Sequence, residues 1–162
     1  MLAIQLARFN IEHHSGGPFG AAVFDATTNR LVAPGVNLVQ ALALSSAHAE
    51  LIAMTLAQKL LGVFDLAATP HARYELFSSA EPCSMCMGAI LWSGITRLVC
   101  GASDQDARGI GFDEGLKVKN WPLEFRIRGI DVRQHLCREH AAAVLLDYRA
   151  GGGLIYNPHR SI

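Results

Sequence analysis

Residues 74–92, YELFSSAEPCSMCMGAILW, carry the chain out of a strand, through a proline and into a helix, with two cysteines three apart at the junction. Tyr74 to Ser79 has the aromatic and apolar content of a strand. Pro82 is tolerated in the first turn of a helix, which then runs through Trp92. Cys83 and Cys86 fall in that turn, where their spacing puts both thiols on one side. By itself the pair fits a structural zinc knuckle, two buried core thiols, or part of a metal centre completed from elsewhere.

The completing residues lie upstream. Ser45 and Ser46 precede His48-Ala49-Glu50 and an apolar run, so a serine-capped helix is expected from Ala47 through Leu60, with Leu51, Met54, Thr55, Leu56 and Leu60 facing inward. His48 and Glu50 are two apart, which inside a regular helix sends their side chains to roughly opposite sides. They converge only at a helix terminus, where exposed N–H groups also favour anionic thiolates and a carboxylate. His48, Cys83 and Cys86 then supply three ligands of a tetrahedral zinc site whose fourth position is open, as a catalytic site requires, with one Zn2+ per subunit. Glu50 is the expected proton carrier. His-x-Glu followed at a distance by Pro-Cys-x-x-Cys is the signature of zinc base deaminases.

Around this centre, residues 2–14 read as a short amphipathic helix closed by Ser15-Gly16-Gly17-Pro18. Gly20–Asp25 and Arg30–Asn37 read as a β-hairpin. Further strands are expected at Ile95–Cys100 and Phe125–Asp131, a loop at Ala102–Gly115, and a closing helix at Gln134–Tyr148. Strands alternating with helices indicate a layered α/β domain. Residues 1–150 form one domain in this reading. Gly151-Gly152-Gly153 then makes a joint before a tail that ends at Ile162.

Composition narrows the function. Half of the 162 residues are apolar and 17% are charged, greasier than a solvated monomer, which points to a buried subunit interface. Fourteen basic residues balance fourteen acidic ones and are scattered, so no phosphate-binding stripe is visible and no nucleic-acid partner is expected. The uncharged stretch Leu31–Ala47 is interrupted by Pro34, Asn37 and Gln40 and cannot span a bilayer. Without a signal-peptide pattern at the N-terminus, the cytoplasm is the default compartment. Cys137 and His140 mimic a second metal pair but have no further ligands spaced around them. Asp104, Asp106 and Arg108 receive no role beyond ordering their loop.

At the zinc motif the sequence resembles the cytidine-deaminase-like superfamily, over roughly Gly16 to Leu116 and more loosely through the last helix. The resemblance implies a three-layer α/β/α sandwich around a mixed five-stranded sheet, assembled as dimers or larger. The stretches Gly16 to Ala21, Ala80 to Cys86 and Gly111-Phe112-Asp113-Glu114 are most similar to bacterial guanine deaminases. The tRNA adenosine deaminases share the zinc motif but tend to carry Pro-Val-Gly in place of Pro-Phe-Gly, a different loop at Phe-Asp-Glu, and more basic surfaces.

The guanine deaminase resemblance implies residue roles. Asn37 would hydrogen-bond a purine base against which Phe19 and Trp92 pack, with Ala49, Asp113 and Tyr156 completing the substrate contacts. Glu114 would be a second catalytic carboxylate that moves protons to the leaving amine. Many relatives have aspartate where this chain has Glu114, and Asp113 competes for the role. The tail, Leu154-Ile155-Tyr156-Asn157-Pro158, would fold over a site, its own or a partner's. The expected reaction turns guanine into xanthine and ammonia, with amino-triazines as side substrates, in a homodimer. Its rivals are a tRNA adenosine or cytosine-type deaminase and a non-catalytic zinc-stabilised scaffold.

Overall fold

Two glycines on neighbouring strands decide how the layers stack. In the computed structural model, which describes residues 1–68, 71 and 73–157, helix α1 (Leu2–Glu12) leads into the hairpin strands β1 (Gly20–Asp25) and β2 (Arg30–Val36). A Cβ on Gly20 would lie 2.3 Å from the Ala3 carbonyl oxygen of α1, and a Cβ on Gly35 would lie 2.2 Å from the Ala49 oxygen of the helix α3 (Ala49–Leu61). Gly35 pairs with Ala21 and Gly20 with Val36, so the two glycines open opposite faces of the hairpin. Backbone approaches this close exclude any side chain, and each face of the sheet receives its own helix.

Besides a 3-10 turn at Leu66–Ala68, the described residues also form the single turn α2 (Val39–Leu42), β3 (Tyr74–Ala80), α4 (Ser84–Ser93), β4 (Arg97–Ala102), α5 (Asp104–Gly109), α6 (Trp121–Ile127), β5 (Asp131–Arg133) and α7 (Arg138–Ala150). The five strands form one sheet in the order β2-β1-β3-β4-β5. The hairpin and the β1–β3 pair are antiparallel, whereas β3–β4 and β4–β5 are parallel. One core packs Ala49, Ala53, Met54 and Ala57 of α3 and Met87 and Ile90 of α4 on Ala21, Val23, Ala33, Leu76 and Leu98. The other packs Ile4 and Ala7 of α1 with Ala141, Val144 and Leu145 of α7 near Ala80 and Ala102. This is the mixed five-stranded sandwich that the resemblance implies.

Four local expectations are corrected. The buried face of α3 is its alanine side, while Thr55, Leu56 and Leu60 point outward, Leu60 being 70% exposed. Small residues win the inner face because the backbone at Gly35 comes so close. Ser45 and Ser46 are exposed and do not cap this helix; His48 occupies the cap position without a side-chain bond. Within the expected loop 102–115, Ser103 and Asp106 form a capping box that starts α5. The expected strand Phe125–Asp131 begins as the end of helix α6, turns at residues 128–130 and reaches the sheet only at Asp131: Trp121 stacks edge-on against Phe125 at 5.2 Å, and Glu124 pairs with Arg128, both four-residue contacts that only a helix provides.

Smaller shifts follow from backbone geometry. Pro82 precedes the cap of α4, where Cys83 stands, and α7 starts at Arg138 because His135 and Cys137 have positive φ. After Gly151–Gly153 the chain turns back along α7, held by a bond from the Tyr148 hydroxyl to the Leu154 carbonyl at 2.7 Å. Residues 158–162 of the expected tail lie outside the described residues.

Candidate metal centre and active-site cavity

The N-termini of α3 and α4 meet over the sheet, and each brings a metal-ligating residue in its cap position. His48 is the extended cap of α3 (φ −74°, ψ 152°) and Cys83 that of α4 (φ −69°, ψ 170°). The extended backbone at position 48 is what lets His48 and Glu50 converge despite their two-residue spacing. His48 Nδ1 lies 3.4 Å from Cys83 Sγ and 3.6 Å from Cys86 Sγ, and the three ligand atoms are all within 4.8 Å of one another. Two sulfurs and an imidazole at these separations fit zinc, and no fourth protein ligand joins them among the described residues. Cys137 and His140 form no such group there.

The charges are arranged for a metal. A hydrogen bond from Cys86 holds the Cys83 thiol down at about 4 against the cost of burial, helped by His48. Cys86, which donates that bond and is buried, is pushed up beyond the usual thiol range. Burial opposes the positive charge of His48, yet its bond to Cys83 raises it overall. Binding a cation here therefore expels protons from Cys86 and His48, as thiolate and imidazole ligands require.

A cavity of about 520 Å³ opens on these ligands, large enough for a purine-sized ligand. Its walls include Glu50, Glu114, Asn37, Phe19, Phe112 and Tyr156. Glu50 is 6% exposed, and burial together with the Cys83 charge raises it above an ordinary carboxylate. Glu114 is pushed up to about 7, by burial first, with Lys117 opposing and Cys83 and Glu50 reinforcing the rise. Asp113 also lines the cavity, but it is half exposed and spends Oδ1 on the Gly115 N–H at 2.9 Å. Of Asp113 and Glu114, Glu114 is thus the buried carboxylate.

Asn37, at the end of β2, is 1% exposed and fixed through its backbone: it donates to Phe19 O at 3.0 Å, and its own carbonyl accepts from Asn10 Nδ2 at 2.8 Å. Its Oδ1 accepts from the Val39 N–H at 3.3 Å, which identifies the other amide atom as nitrogen. That Nδ2 has no partner among the described residues. Buried donors are rarely left so unless a ligand meets them.

Two tail residues, Tyr156 and Asn157, line this cavity. Asn157 clamps the tail, donating Nδ2 to Gly111 O and accepting from the Asp113 N–H, both at 2.8 Å. Tyr156 lies edge-on to Phe112 at 5.1 Å, and Phe112 to Phe19 at 5.0 Å, an aromatic wall facing the metal ligands. A Cβ on Gly17 would sit 2.3 Å from the Tyr156 hydroxyl, so this glycine makes room for the ring.

Two of the expected substrate residues are not brought here. Trp92 is 86% exposed and lies outside the cavity. It sits eight residues beyond the first residue of α4, roughly 12 Å along the helix from the end that faces the site. Ala49 is fully buried, packed under β2 at Gly35 rather than on the cavity wall. Conversely, Phe112, Glu81, Ser45 and Asn157 line the cavity without having been assigned a role from sequence. Phe112 belongs to the quoted Gly-Phe-Asp-Glu stretch, but no spacing shows which of its side chains turns inward.

A family model for the cytidine and deoxycytidylate deaminase zinc-binding region matches residues 1–102. A guanine deaminase of Bacillus subtilis (strain 168) is 33% identical over 138 residues, 85% of this chain and 84% of its own length. Among solved structures, a guanine deaminase from Nitrosomonas europaea is 45% identical over 92% of this chain and 81% of that one, with a TM-score of 0.89. A protein solved with bound 2,6-diaminopurine is 46% identical over 96% of this chain and 82% of that one, with a TM-score of 0.91. Matches to tRNA-specific adenosine deaminases are shorter or less identical: that of Haemophilus influenzae, 39% identical, spans 58% of this chain and 51% of its own length, and that of Buchnera aphidicola, 29% identical, spans 85% and 83%.

Proposed function

The chain belongs to the cytidine and deoxycytidylate deaminase zinc-binding family, is a zinc-dependent aminohydrolase, and, we propose, acts on guanine, giving xanthine and ammonia. The observation that carries guanine over adenine is the unpartnered Nδ2 of Asn37. The free atom at that wall is a donor, because Oδ1 is already committed to Val39. N7 is an acceptor in both bases, but guanine presents the O6 acceptor where adenine presents the N6 amine, a donor. The two guanine deaminase relatives and the relative that binds 2,6-diaminopurine support the same substrate class.

His48, Cys83 and Cys86 would hold the zinc ion, which would supply the Lewis acidity that makes water nucleophilic near neutral pH. Glu50, buried beside the ligands, takes a proton from the attacking water and delivers it to the ring nitrogen next to C2. Glu114, with its proton affinity near neutrality, carries a proton to the exocyclic nitrogen. The C2–N bond breaks, ammonia leaves, and the hydroxyl on C2 gives its proton back to the Glu114 carboxylate as it becomes the carbonyl of xanthine. Asn37 orients the base, while Phe19, Phe112 and Tyr156 stack against it and keep bulk water out.

In this reading residues 1–150 are one deaminase domain and the tail after Gly151 is its lid. Amino-triazines, which present amine and ring nitrogen in the same arrangement, are side substrates. The exposed outer face of α3 and α4, with Leu56, Leu60 and Trp92, continues to Phe64, which is 88% exposed; a second copy of the chain is its cover, giving a homodimer. Unpaired thiols among the metal ligands suit a reducing cytoplasm and a place in purine breakdown.

Ammonia release from guanine, adenine, cytosine, an amino-triazine and tRNA, by wild type and Glu50→Gln, tests the assignment. Guanine is expected to be turned over fastest, and Glu50→Gln to keep zinc while losing about 100-fold or more in rate. Faster release from tRNA that weakens with salt would move the assignment to the adenosine class. Zinc binding with no release by either protein would leave only a zinc-stabilised scaffold.

A further inference from the structure

Glu114 lies in the segment joining α5 to α6, and the backbone of that segment is gripped from two sides. From α4, the Ser84 N–H donates to the Glu114 carbonyl at 3.1 Å and the Ser84 hydroxyl to the Leu116 carbonyl at 2.6 Å. From α5, Arg108 donates from Nε to Asp104 Oδ2 and from a terminal nitrogen to the Gly115 carbonyl, both at 2.7 Å. Among the described residues, the Glu114 side chain has one ion-pair partner, Lys117. Lys117 turns back to set Nζ 3.4 Å from Glu114 Oε2 and 2.6 Å from Asp104 Oδ1, the latter an ion pair rather than an aligned hydrogen bond.

Lys117 is out of place as an ordinary surface lysine. Only 10% of its side chain is exposed, and the Glu114 side chain it meets is 8% exposed. Withdrawing an ammonium from water costs several kcal/mol unless partners compensate it. Here two carboxylates do so, one at the first position of α5 and one at the cavity wall. The outer carboxylate is held in turn by Arg108, so the sequence Arg108, Asp104, Lys117, Glu114 is a continuous chain of alternating charge leading from the surface to the site.

We propose that Lys117, anchored by Asp104, is a positioning residue for the deamination: it fixes the Glu114 carboxylate in the orientation that meets the leaving amine. The proposal rests on the reading of Glu114 as a proton carrier. Ser84 and Arg108 place the segment; among the described residues it is Lys117 that aims its carboxylate.

The test is a double-mutant cycle on guanine deamination with Lys117→Met, Lys117→Arg, Glu114→Gln and the Lys117→Met/Glu114→Gln pair, with zinc content and melting temperature followed throughout. Lys117→Met is expected to lower kcat about tenfold with KM within about twofold of wild type, and Lys117→Arg to recover most of that loss. In the Glu114→Gln background the same Lys117→Met change is expected to alter kcat by less than about twofold, since the group it aims is gone. Equal losses in both backgrounds, a loss confined to KM, or an arginine variant as impaired as the methionine one would overturn the proposal while leaving Glu114 in its role. An unchanged kcat for Glu114→Gln overturns the role of Glu114 and this proposal with it. Asp104→Asn, which keeps the lysine and removes its outer anchor, gives a second reading if Lys117→Met does not fold. Its expected loss in kcat is smaller, and it too vanishes in the Glu114→Gln background; a persisting loss counts against the proposal.

Discussion

The two sides of the cavity are built by different means. The metal side takes four residues from two short stretches, His48 and Glu50 at the start of α3 and Cys83 and Cys86 at the start of α4. Each stretch places its own side chains through helix-cap geometry, and the sheet has only to bring two helix ends together. The opposite side takes Asn37 from the end of β2, Phe112 and Glu114 from the segment after α5, and Tyr156 from the tail. Its fastenings join residues 44 and 46 apart in sequence, as in the Asn157 clamp on Asp113 and Gly111. The metal side rests on local geometry, and the opposite wall on long-range contacts.

Mutations should separate the two sides by what they remove. Cys86→Ala strips one ligand from the metal side. Zinc retained after dialysis, measured by atomic emission, should fall, and turnover should drop on the order of a thousandfold or more, equivalent to about 4 kcal/mol of lost transition-state stabilisation. Full zinc retention would show that the side does not depend on its three ligands. Asn37→Ala works on the opposite side. It should leave zinc untouched and lower kcat/KM for guanine by roughly ten- to hundredfold, about 1–3 kcal/mol for a lost buried hydrogen bond, without improving adenine.

Truncation after Gly151 removes Tyr156 and the Asn157 clamp together. About a tenfold loss in kcat/KM with zinc content unchanged is expected, because the cavity then admits water and loses part of its stacking wall. Turnover equal to wild type would mean that the tail only packs there.

The smallest effect tests the scaffold behind the second side. Asp106 accepts from the Ser103 N–H at 2.7 Å and from Arg138 twice at 2.8 Å, starting α5 and tying it to α7. Arg138 first, with Ser103 assisting, holds its carboxyl well below the usual range. A depressed folded value means the contribution is present above the unfolded pKa near 3.8 and is lost as pH falls through the lower folded one. Asp106→Asn should therefore cost about 1 kcal/mol in chemical denaturation at pH 7, the size of a lost cap, since Arg138 is half exposed and its ion pair adds little. The gap between variant and wild type should narrow as the pH is taken below about 4. A gap independent of pH would separate the stability of α5 from this carboxylate.

Much of the fold was legible because its signals are local. The hairpin, α3, β3, α4 and the closing helix were placed by periodicity, turn residues and the proline before Cys83, within a few residues of where they lie. The failures have physical causes. Alternating Phe125-Arg126-Ile127-Arg128 mimics a strand, and only the stacking of Trp121 on Phe125 shows the helix. The larger apolar residues of α3 were assigned to the core, whereas the glycine of β2 admits only alanines and leaves the leucines for an outer face. Trp92, expected against the base, stays at the far end of α4 for a related reason: resemblance transfers a residue type, not the direction in which a helix presents it.

What the sequence determined by itself was the chemistry. Two thiols three apart, and a histidine two before a glutamate at a helix start, have few other ways to converge. The Nδ1–Sγ distances of 3.4 and 3.6 Å bear that convergence out. What only the tertiary structure decided was the shape and polarity of the opposite wall. The free Asn37 donor, the choice of Glu114 over Asp113, the Lys117 bridge and the closure by Tyr156 depend on which atoms other contacts have already used. A residue type declares what it can bond, but only the folded chain shows which of those bonds remain unmade.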